Sequence, residues 1–396
     1  MNENPLKKLE SLGQSIWLDY IRRDLIANGE LQHLIDEDGL RGMTSNPSIF
    51  EKAIAESTIY DSVIQKMALE GKDVNTIYEA ISQQDVQSAA NVFKTLYEKT
   101  AGEDGYVSLE VNPHLAHDTA GTIEEGRRLW DTLNRPNVLI KVPATTEGLV
   151  AIRQLISEGI NVNVTLLFSL PRYRAVAEAF VEGLEARVAK RKSIDQITSV
   201  ASFFLSRIDT LVDPLLEKII VSDTRIGYVQ NAPGLVDPLL EKIIESDSKK
   251  NEIAREALGE VAISSAKAAY QIYKEVFGSA QFKKLQEKGA HVQRLLWAST
   301  SNKNPNYSDI KYIEPLIGAN TINTVPPQTI DAYRDHGDPK LTIEQDLQKA
   351  NRVLKSLPEL EIDINKITQQ LEDEGIGKFN EPFDKLMGAL ANKSAT

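Results

Sequence analysis

Short apolar runs rich in β-branched residues alternate along the chain with longer stretches of helical periodicity. An apolar run of roughly four to eight residues bounded by turn residues is typical of a buried strand. Eight runs are predicted as strands, at residues 15–20, 41–45, 106–111, 137–142, 161–166, 199–205, 293–299 and 312–324. The last run contains Gly318 and is expected to hold a strand and a turn.

The stretches between these runs predict helices, among them 86–99, 122–133, 146–158, 171–191 and 253–277. Strands that alternate with helices favour an α/β fold, and eight of them favour a closed (β/α)8 TIM barrel. A doubly wound open sheet is the alternative, but no G-x-G-x-x-G follows the first run to support it. We therefore predict that residues 1–396 form a single barrel domain.

A helical insertion is predicted at 208–260, between the sixth and seventh strands. It contains an exact duplication, because V-D-P-L-L-E-K-I-I at 212–220 recurs 24 residues later at 236–244. Each copy carries Asp-Pro at a predicted helix start. Two copies are too few for a solenoid, so we interpret the repeat as a local duplication, with a binding role as the alternative.

Residues 341–390 predict additional C-terminal helices beyond the last strand, including 343–350 and 379–390. Such helices would lie outside a complete barrel. They either cap one mouth of the barrel and shield a site from water, or pack on its surface without a functional role.

Composition excludes several classes of function. The chain has 396 residues, 41% of them apolar, and a formal net charge of −12, which disfavours a nucleic-acid partner. It has no cysteine, so disulfides and thiolate chemistry are excluded. Neither a signal-peptide pattern nor a membrane-length apolar run is found, and we expect a cytoplasmic protein without membrane association.

Lys141 directly follows the apolar run that begins at Val138. Burial favours the neutral form of an amine, and a neutral lysine is a nucleophile that forms a Schiff base with a carbonyl. The alternative is a lysine at a strand end that reaches bulk solvent.

Polar side chains end most of the predicted strands, and barrels place their sites at the carboxyl ends of the strands. Singly, each could be a helix cap or a buried hydrogen-bonding residue. The set comprises Asp19, Thr44, Asn46, Glu110, Lys141, Asn163, Thr165, Ser202 and Arg207.

Covalent chemistry on a ketone fits this set. Lys141 would attack the carbonyl, and Glu110 and Asp19 would transfer the protons. A water or the Thr165 hydroxyl would lie between the lysine and the acids. Arg207 suits a phosphate, because its donors match the oxyanion.

Two amide side chains, Asn46 and Asn163, offer donors and acceptors for sugar hydroxyls. Metal chemistry is poorly supported: His114 and His117 have i, i+3 spacing, but a solvated helix start explains them better than zinc. A Ser-His-Asp triad cannot be placed, since no G-x-S-x-G occurs. We expect no metal.

Several motifs together resemble the transaldolases in their longer bacterial form. They are T-S-N-P at 44–47, L-I-K-V-P-A-T at 139–145, G-I-N-V-N-V-T-L-L-F-S at 159–169 and S-F-F-L-S-R at 202–207. They occur in family order, and the likeness extends from residue 4 to about 390.

The resemblance implies a (β/α)8 barrel without a metal or organic cofactor. It implies that Lys141 forms a Schiff base with a ketose phosphate in the pentose phosphate pathway. A dihydroxyacetone unit would pass from sedoheptulose 7-phosphate to glyceraldehyde 3-phosphate, giving erythrose 4-phosphate and fructose 6-phosphate. The partners would be small phosphorylated sugars, and the protein a monomer or homodimer.

The resemblance also implies roles for matching residues. Asp19 would handle the proton of the hydroxyl beside the broken bond, and Glu110 would serve imine chemistry with a water held by Thr165. Asn46 and Asn163 would hold the donor's hydroxyls. The remaining matches, expected to bind substrate, are Thr44, Ser202, Phe204 and Arg207.

One departure from the family concerns the phosphate. Many transaldolases carry a second phosphate-binding arginine just after the seventh strand, where residues 297–305 have none. Lys303 is the expected substitute, as a point charge, and Ser301 and Asn302 could add hydrogen bonds. The duplicated insertion is a second departure.

Two other functions stay open from the sequence. A fructose 6-phosphate aldolase-type activity would use the same lysine but let water, instead of an acceptor aldehyde, intercept the intermediate. A non-catalytic sugar-phosphate-binding protein would keep its function in a Lys141→Ala variant.

Overall fold

The structure is a computed structural model that describes residues 4–230 and 238–395, with side chains described for 4–220 and 248–395. Its parallel strands pair in chain order, and the eighth closes onto the first. The strands are β1 (Gln14–Asp19), β2 (Leu40–Thr44), β3 (Tyr106–Glu110), β4 (Val138–Pro143), β5 (Val162–Leu167), β6 (Ser199–Phe204), β7 (Arg294–Ala298) and β8 (Thr321–Val325). The predicted (β/α)8 TIM barrel is confirmed.

Helices surround the barrel and extend beyond it. The first group is α1 (Pro5–Ser11), α2 (Arg23–Ala27), α3 (Glu30–Asp38), α4 (Pro47–Ala55), α5 (Asp61–Leu69), α6 (Val74–Lys99), α7 (Thr119–Leu133), α8 (Thr146–Glu158) and α9 (Leu170–Ala189). The second is α10 (Ser206–Gln230), α11 (Pro238–Ala257), α12 (Val261–Phe277), α13 (Ala280–Gln286), α14 (Pro327–His336), α15 (Leu347–Ser356) and α16 (Ile364–Ser394).

One sequence prediction of an element boundary is wrong. The predicted helix 253–277 is divided into α11 and α12, because Gly259 takes a left-handed φ of +71° that ends regular helix. The predicted run 312–324 holds a strand and a turn as expected, and the strand, β8, begins only at Thr321. The earlier apolar residues of the run, such as Ile313 and Leu316, are buried in a loop and a short 3-10 turn.

The first copy of the duplicated segment also differs from the prediction, because Pro214 lies inside α10 and not at a helix start. Its neighbour Asp213 also lies inside α10. It accepts hydrogen bonds from the Gly259 backbone N–H at 2.9 Å and the Tyr307 hydroxyl at 2.8 Å, which hold this part of α10 in place. The side chains of the second copy, 236–244, lie outside the described residues.

The C-terminal segment is helical as predicted, with one correction. Residues 343–346 precede α15, because Ile343 is packed against Gly318 and its backbone N–H donates to the Ile317 carbonyl at 3.1 Å. The predicted helix 379–390 is part of α16, which packs against α4, α5, α6 and α10. Within the described residues, no helix is long and apolar enough to cross a membrane.

Candidate active site

A polar cavity of about 190 Å³ lies at the carboxyl ends of the strands, where the sequence placed the site. Alternation along each strand turns these side chains inward, and each strand end delivers one or two of them. Of the predicted residues, the cavity wall contains Asp19, Thr44, Asn46, Lys141, Thr165, Ser202, Phe204, Arg207 and Lys303. The other two, Glu110 and Asn163, lie directly beside this set.

Lys141 is buried at the base of the cavity, with 5% of its surface exposed. Its Nζ donates a hydrogen bond to the Ser45 carbonyl oxygen at 2.9 Å and lies 3.5 Å from Oε2 of Glu110. Adjacent strands in register bring Glu110 and Asn163 to either side of it. The alternative prediction, that the Lys141 side chain reaches bulk solvent, is therefore wrong.

The two acids near Lys141 are held differently. Glu110 is buried, and neither carboxylate oxygen accepts a hydrogen bond from a described residue. Burial raises the pKa of Glu110 to about 7, although the Lys141 charge opposes the rise. Burial also raises the pKa of Asp19, while Lys141 and the hydrogen bond from Thr44 at 2.7 Å lower it.

Asn163 is fully buried, and its amide is already engaged. Its Nδ2 donates to Ser108 Oγ at 3.0 Å, and its Oδ1 accepts from Ser202 Oγ at 2.7 Å. Asn46 is partly exposed, and its Oδ1 accepts from the Ile49 backbone N–H at 3.0 Å, capping α4. Its Nδ2 therefore remains the group with which Asn46 can contact a ligand.

A backbone irregularity follows Thr165. The pairing of β5 with β6 shifts between Val164 and Leu167, and Leu166 adopts a left-handed φ of 55°. Such strain in a buried, non-glycine residue is typical of functional sites. The Thr165 hydroxyl is buried and has no hydrogen-bond partner among the described residues.

Two cations meet on the far side of the cavity. The Arg207 guanidinium lies 5.5 Å from the centre of the Phe204 ring, and its buried Nη1 has no hydrogen-bond partner among described residues. The Lys303 Nζ donates to Ser301 Oγ at 2.6 Å. Burial and the Arg207 charge lower the pKa of Lys303. An anion such as phosphate would relieve this repulsion.

The loop that carries Lys303 is fastened to α10. The Tyr307 hydroxyl donates to Asp213 at 2.8 Å, and the Tyr312 hydroxyl donates to Asp209 at 2.8 Å. Lys311 also binds Asp209, at 3.1 Å. The first copy of the duplicated segment, which contains Asp213, thus helps to fix the position of the second cation.

Sequence reasoning missed several residues of the cavity wall. Ser299 directly follows β7 and Thr324 lies one residue before the end of β8, so the strand-end rule could have found them. Ser48 comes from the first turn of α4. Phe379 comes from α16, and its ring centre lies 5.9 Å from Lys141 Nζ. No local signal in the sequence indicated that this phenylalanine reaches the barrel mouth.

Comparison with known proteins agrees with this geometry. The family model for transaldolase/fructose-6-phosphate aldolase matches residues 16–390. The chain belongs to this family. The resemblance drawn from the sequence motifs is therefore confirmed, and the match covers the strand-end residues and most of α16.

Relatives in the transaldolase family are similar over nearly their whole length. A transaldolase of Trichodesmium erythraeum is 47% identical over 395 residues, which cover 99% of this chain and 98% of the relative. Transaldolase 2 of Nostoc punctiforme is 43% identical over 99% of this chain and 98% of its own. A transaldolase of Thiobacillus denitrificans is 42% identical, over 98% and 99%.

The described residues contain no group of three or more His, Cys, Asp or Glu side chains arranged to hold a metal ion. His114 and His117 instead pair with single acids. His114 Nε2 lies 2.8 Å from Asp384, and His117 Nδ1 lies 3.2 Å from Glu147.

Proposed function

We propose that this protein is a transaldolase that forms a Schiff base at Lys141. It transfers a dihydroxyacetone unit from sedoheptulose 7-phosphate to glyceraldehyde 3-phosphate, giving erythrose 4-phosphate and fructose 6-phosphate in the pentose phosphate pathway. The observation that carries the proposal is a buried lysine amine 3.5 Å from a carboxylate, in a cavity whose far side holds two cations.

The proposed reaction begins when the neutral Lys141 amine attacks the ketone of the donor. Glu110, with a water held by Thr165, donates the proton that lets the carbinolamine hydroxyl leave as water, and an iminium forms. Asp19 then takes the proton of the hydroxyl beside the bond that breaks. The electron pair of that bond moves into the iminium, which acts as electron sink, so the proposal requires no metal or organic cofactor.

The phosphate of either sugar would bind between Arg207 and Lys303, because both cations face the cavity and carry free donors or charge toward it. We propose Ser202 and Phe204 as neighbours of this phosphate site and Asn46 as a ligand of the sugar hydroxyls. Thr44 holds Asp19, and Asn163 holds Ser202, so both act through the residues that they orient.

Trapping with borohydride tests whether the Schiff base forms at Lys141. Incubation with fructose 6-phosphate and borohydride should leave a reduced adduct that peptide mass mapping assigns to Lys141. Lys267 is a matched control, because it is also buried and donates a 2.7 Å hydrogen bond to the Gln345 carbonyl. A folded Lys141→Met variant that still forms adduct, or an adduct on Lys267, would refute the proposal.

Lys303 can be tested separately from the chemistry. Replacing it by Met should raise KM for fructose 6-phosphate by about 10- to 100-fold, the scale of a charged hydrogen bond. The KM for unphosphorylated fructose should stay unchanged. Equal effects on both sugars would show that Lys303 does not bind phosphate.

Aldolase activity is the second candidate, since the matched family also contains fructose-6-phosphate aldolase. Transfer is favoured because Phe379 covers Lys141 and would hinder water from reaching the intermediate. Product formation with and without glyceraldehyde 3-phosphate separates the two. Rapid release of free dihydroxyacetone without acceptor would identify an aldolase.

We propose further that residues 1–396 act as a single domain, located in the cytoplasm, as a monomer or homodimer. The contacts of α16 with α4, α6 and β5 support the single domain, since they join the C-terminal segment to the barrel. Light scattering of the purified protein would measure the assembly, and a mass above that of two chains would refute it.

A further inference from the structure

A cavity of about 240 Å³ lies between α10 and the loop of residues 299–313 that follows β7. Because α10 contributes Asp209 and Asp213 to its wall, we call it the acidic cavity. Lys303 forms part of this wall and also part of the wall of the cavity at Lys141. The same cation thus borders both the acidic cavity and the proposed phosphate site.

The packing of Lys303 itself does not decide which of the two cavities its ammonium group faces. A large part of its surface is exposed, and its Nζ donates to Ser301 Oγ, only two residues earlier. The charges of Arg207 and Lys52 repel it, whereas Asp19 attracts it. Since a lysine is a point charge on a flexible stem, its position depends on how the backbone of the loop is held.

Asn302 holds the loop from within. Its Nδ2 donates to the Asn304 and Tyr307 carbonyl oxygens, both at 2.7 Å, and its Oδ1 accepts from the Asn304 backbone N–H at 3.0 Å. These bonds close the loop on both sides of Lys303. The N–H groups of Asn302 are thereby engaged within the loop, where they fix the backbone beside the cation.

Tyr307 joins the loop to α10. Its hydroxyl donates to one carboxylate oxygen of Asp213 at 2.8 Å, and the other oxygen accepts from the Gly259 backbone N–H at 2.9 Å. The Tyr307 ring also lies under Lys311, whose Nζ is 3.4 Å from the ring centre. The hydroxyl therefore occupies an oxygen that would otherwise attract Lys303 into the acidic cavity.

The other buried acid of the acidic cavity has partners as well. Asp209 accepts from the Ala262 backbone N–H and the Tyr312 hydroxyl, both at 2.8 Å, and pairs with Lys311 at 3.1 Å. The third acid of the wall, Glu217, is exposed, so water and salt screen its charge. The buried carboxylates thus hold the loop and do not compete for Lys303.

We propose that Asn302 and Tyr307 are positioning residues that hold Lys303 toward the proposed phosphate site. They thereby determine the preference of the site for phosphorylated over unphosphorylated sugars. The inference rests on the proposed function, because it requires that Lys303 binds phosphate. It also gives the first copy of the duplicated segment a role, since Asp213 of that copy is the anchor for Tyr307.

Removal of the Tyr307 hydroxyl tests the proposal, because Tyr307→Phe keeps the ring beside Lys311. The KM for fructose 6-phosphate should rise by about three- to tenfold, the scale of one hydrogen bond, while kcat and the KM for unphosphorylated fructose stay unchanged. Titration calorimetry with inorganic phosphate should show an affinity that is weaker by the same factor. Asn302→Ala should act in the same direction.

Double variants distinguish positioning from a general effect on structure. In a Lys303→Met background, neither Tyr307→Phe nor Asn302→Ala should raise the KM further, because the residue that they position is absent. Tyr270→Phe is the control, since this hydroxyl donates to the Ala319 carbonyl at 3.1 Å, near the start of β8, and its loss should leave the KM unchanged. Additive effects in the double variants would overturn the inference.

The proposed function and this inference fail in different ways. Wild-type protein that forms no borohydride adduct at Lys141 would overturn the proposed function. If the adduct forms but Lys303→Met keeps the wild-type KM for fructose 6-phosphate, the inference falls and the Schiff-base chemistry stands. If Lys303→Met raises this KM while folded Tyr307→Phe and Asn302→Ala variants do not, the inference alone is overturned.

Discussion

The two carboxylates near Lys141 have different environments, and the difference supports the different roles proposed for them. Burial raises the pKa of Asp19, but the Lys141 charge and a hydrogen bond from Thr44 oppose the rise and favour its ionised form. Glu110 receives none from a described residue, and its pKa is raised to about 7. A group with that pKa both gives and accepts a proton near neutrality, as imine formation and hydrolysis require. Asp19 suits the single proton transfer at the carbon–carbon bond.

The raised pKa of Glu110 predicts a pH dependence of stability. Between about pH 4.5 and 7 the folded protein holds a proton that the unfolded chain releases, so the free energy of unfolding falls as pH rises. The loss is about 3 kcal/mol over this range. Glu110→Gln should remove this part of the slope in urea unfolding measured from pH 4 to 8. Parallel curves for both proteins would contradict the raised pKa.

Single residues of the site could be predicted because strand periodicity fixes which side chains point inward. Asp19, Lys141 and Thr165 reach the cavity for that reason. The alternation of side chains along a strand does not determine how far along the barrel axis each side chain lies. Asn163 points inward but lies beneath the cavity, bonded to Ser108 and Ser202, because the tilt of the strands sets how far each residue reaches along the barrel axis.

At the scale of elements, α16 brings residues that are far from Lys141 in the sequence to the mouth of the barrel. Gly375 allows it to approach the barrel closely, because a Cβ there would lie 3.0 Å from a Leu166 methyl and 3.7 Å from Arg207 Nη1. One turn later, Phe379 covers Lys141. Helix α16 therefore closes the mouth, and the alternative of simple surface packing does not describe it.

Removal of the Phe379 ring should let water compete with the acceptor. In Phe379→Ala we expect hydrolytic release of dihydroxyacetone to rise relative to transfer by up to about tenfold, equivalent to 1.4 kcal/mol. The measurement is the ratio of free dihydroxyacetone to transfer product at fixed acceptor concentration. Met387→Ala, a partly buried change on the same helix, is the control. An unchanged ratio in Phe379→Ala would exclude a role for this ring in excluding water.

The bounds of a helix could be predicted where the apolar periodicity and the capping residues indicate the same start and end. The helix at 146–158 is found with those bounds, since the Thr145 hydroxyl caps its start and Gly159 ends it with a left-handed φ. The division of 253–277 was missed, and the strand within 312–324 was not located, because apolar patterns report burial and not backbone conformation. Ile313 is buried as a strand residue would be, yet it lies in a loop.

At the scale of the whole molecule, the two ends of the barrel hold different kinds of buried polar group. The carboxyl end holds partly unsatisfied groups, such as Glu110, Thr165 and Arg207. The amino end holds an ion-pair network around Asp104, which is joined to Arg41 at 2.7 Å and Arg294 at 3.0 Å. This division matches barrels in which one face serves chemistry and the other stability.

The buried network at the amino end gives a prediction for the whole barrel. Asp104 also accepts from Ser15 at 2.8 Å, so it links the starts of β1, β2 and β7 across the barrel floor. Asp104→Asn would remove the counter-charge of the largely buried Arg294 and leave Arg41 paired only with the exposed Glu10, at 2.8 Å. Breaking a buried pair in this way costs about 3–5 kcal/mol, and urea unfolding should show a loss of that size.

Catalysis should be insensitive to the same change, because the network lies at the end of the barrel opposite Lys141. Below the unfolding transition, Asp104→Asn should keep the wild-type kcat/KM. Asp331→Asn is the matched control, since Asp331 pairs with Arg334 at 2.8 Å but is 71% exposed, and exposed pairs contribute little. A loss of kcat/KM in folded Asp104→Asn would contradict this expectation. It would mean that a change at the amino end of the barrel alters the geometry of the site at the carboxyl end.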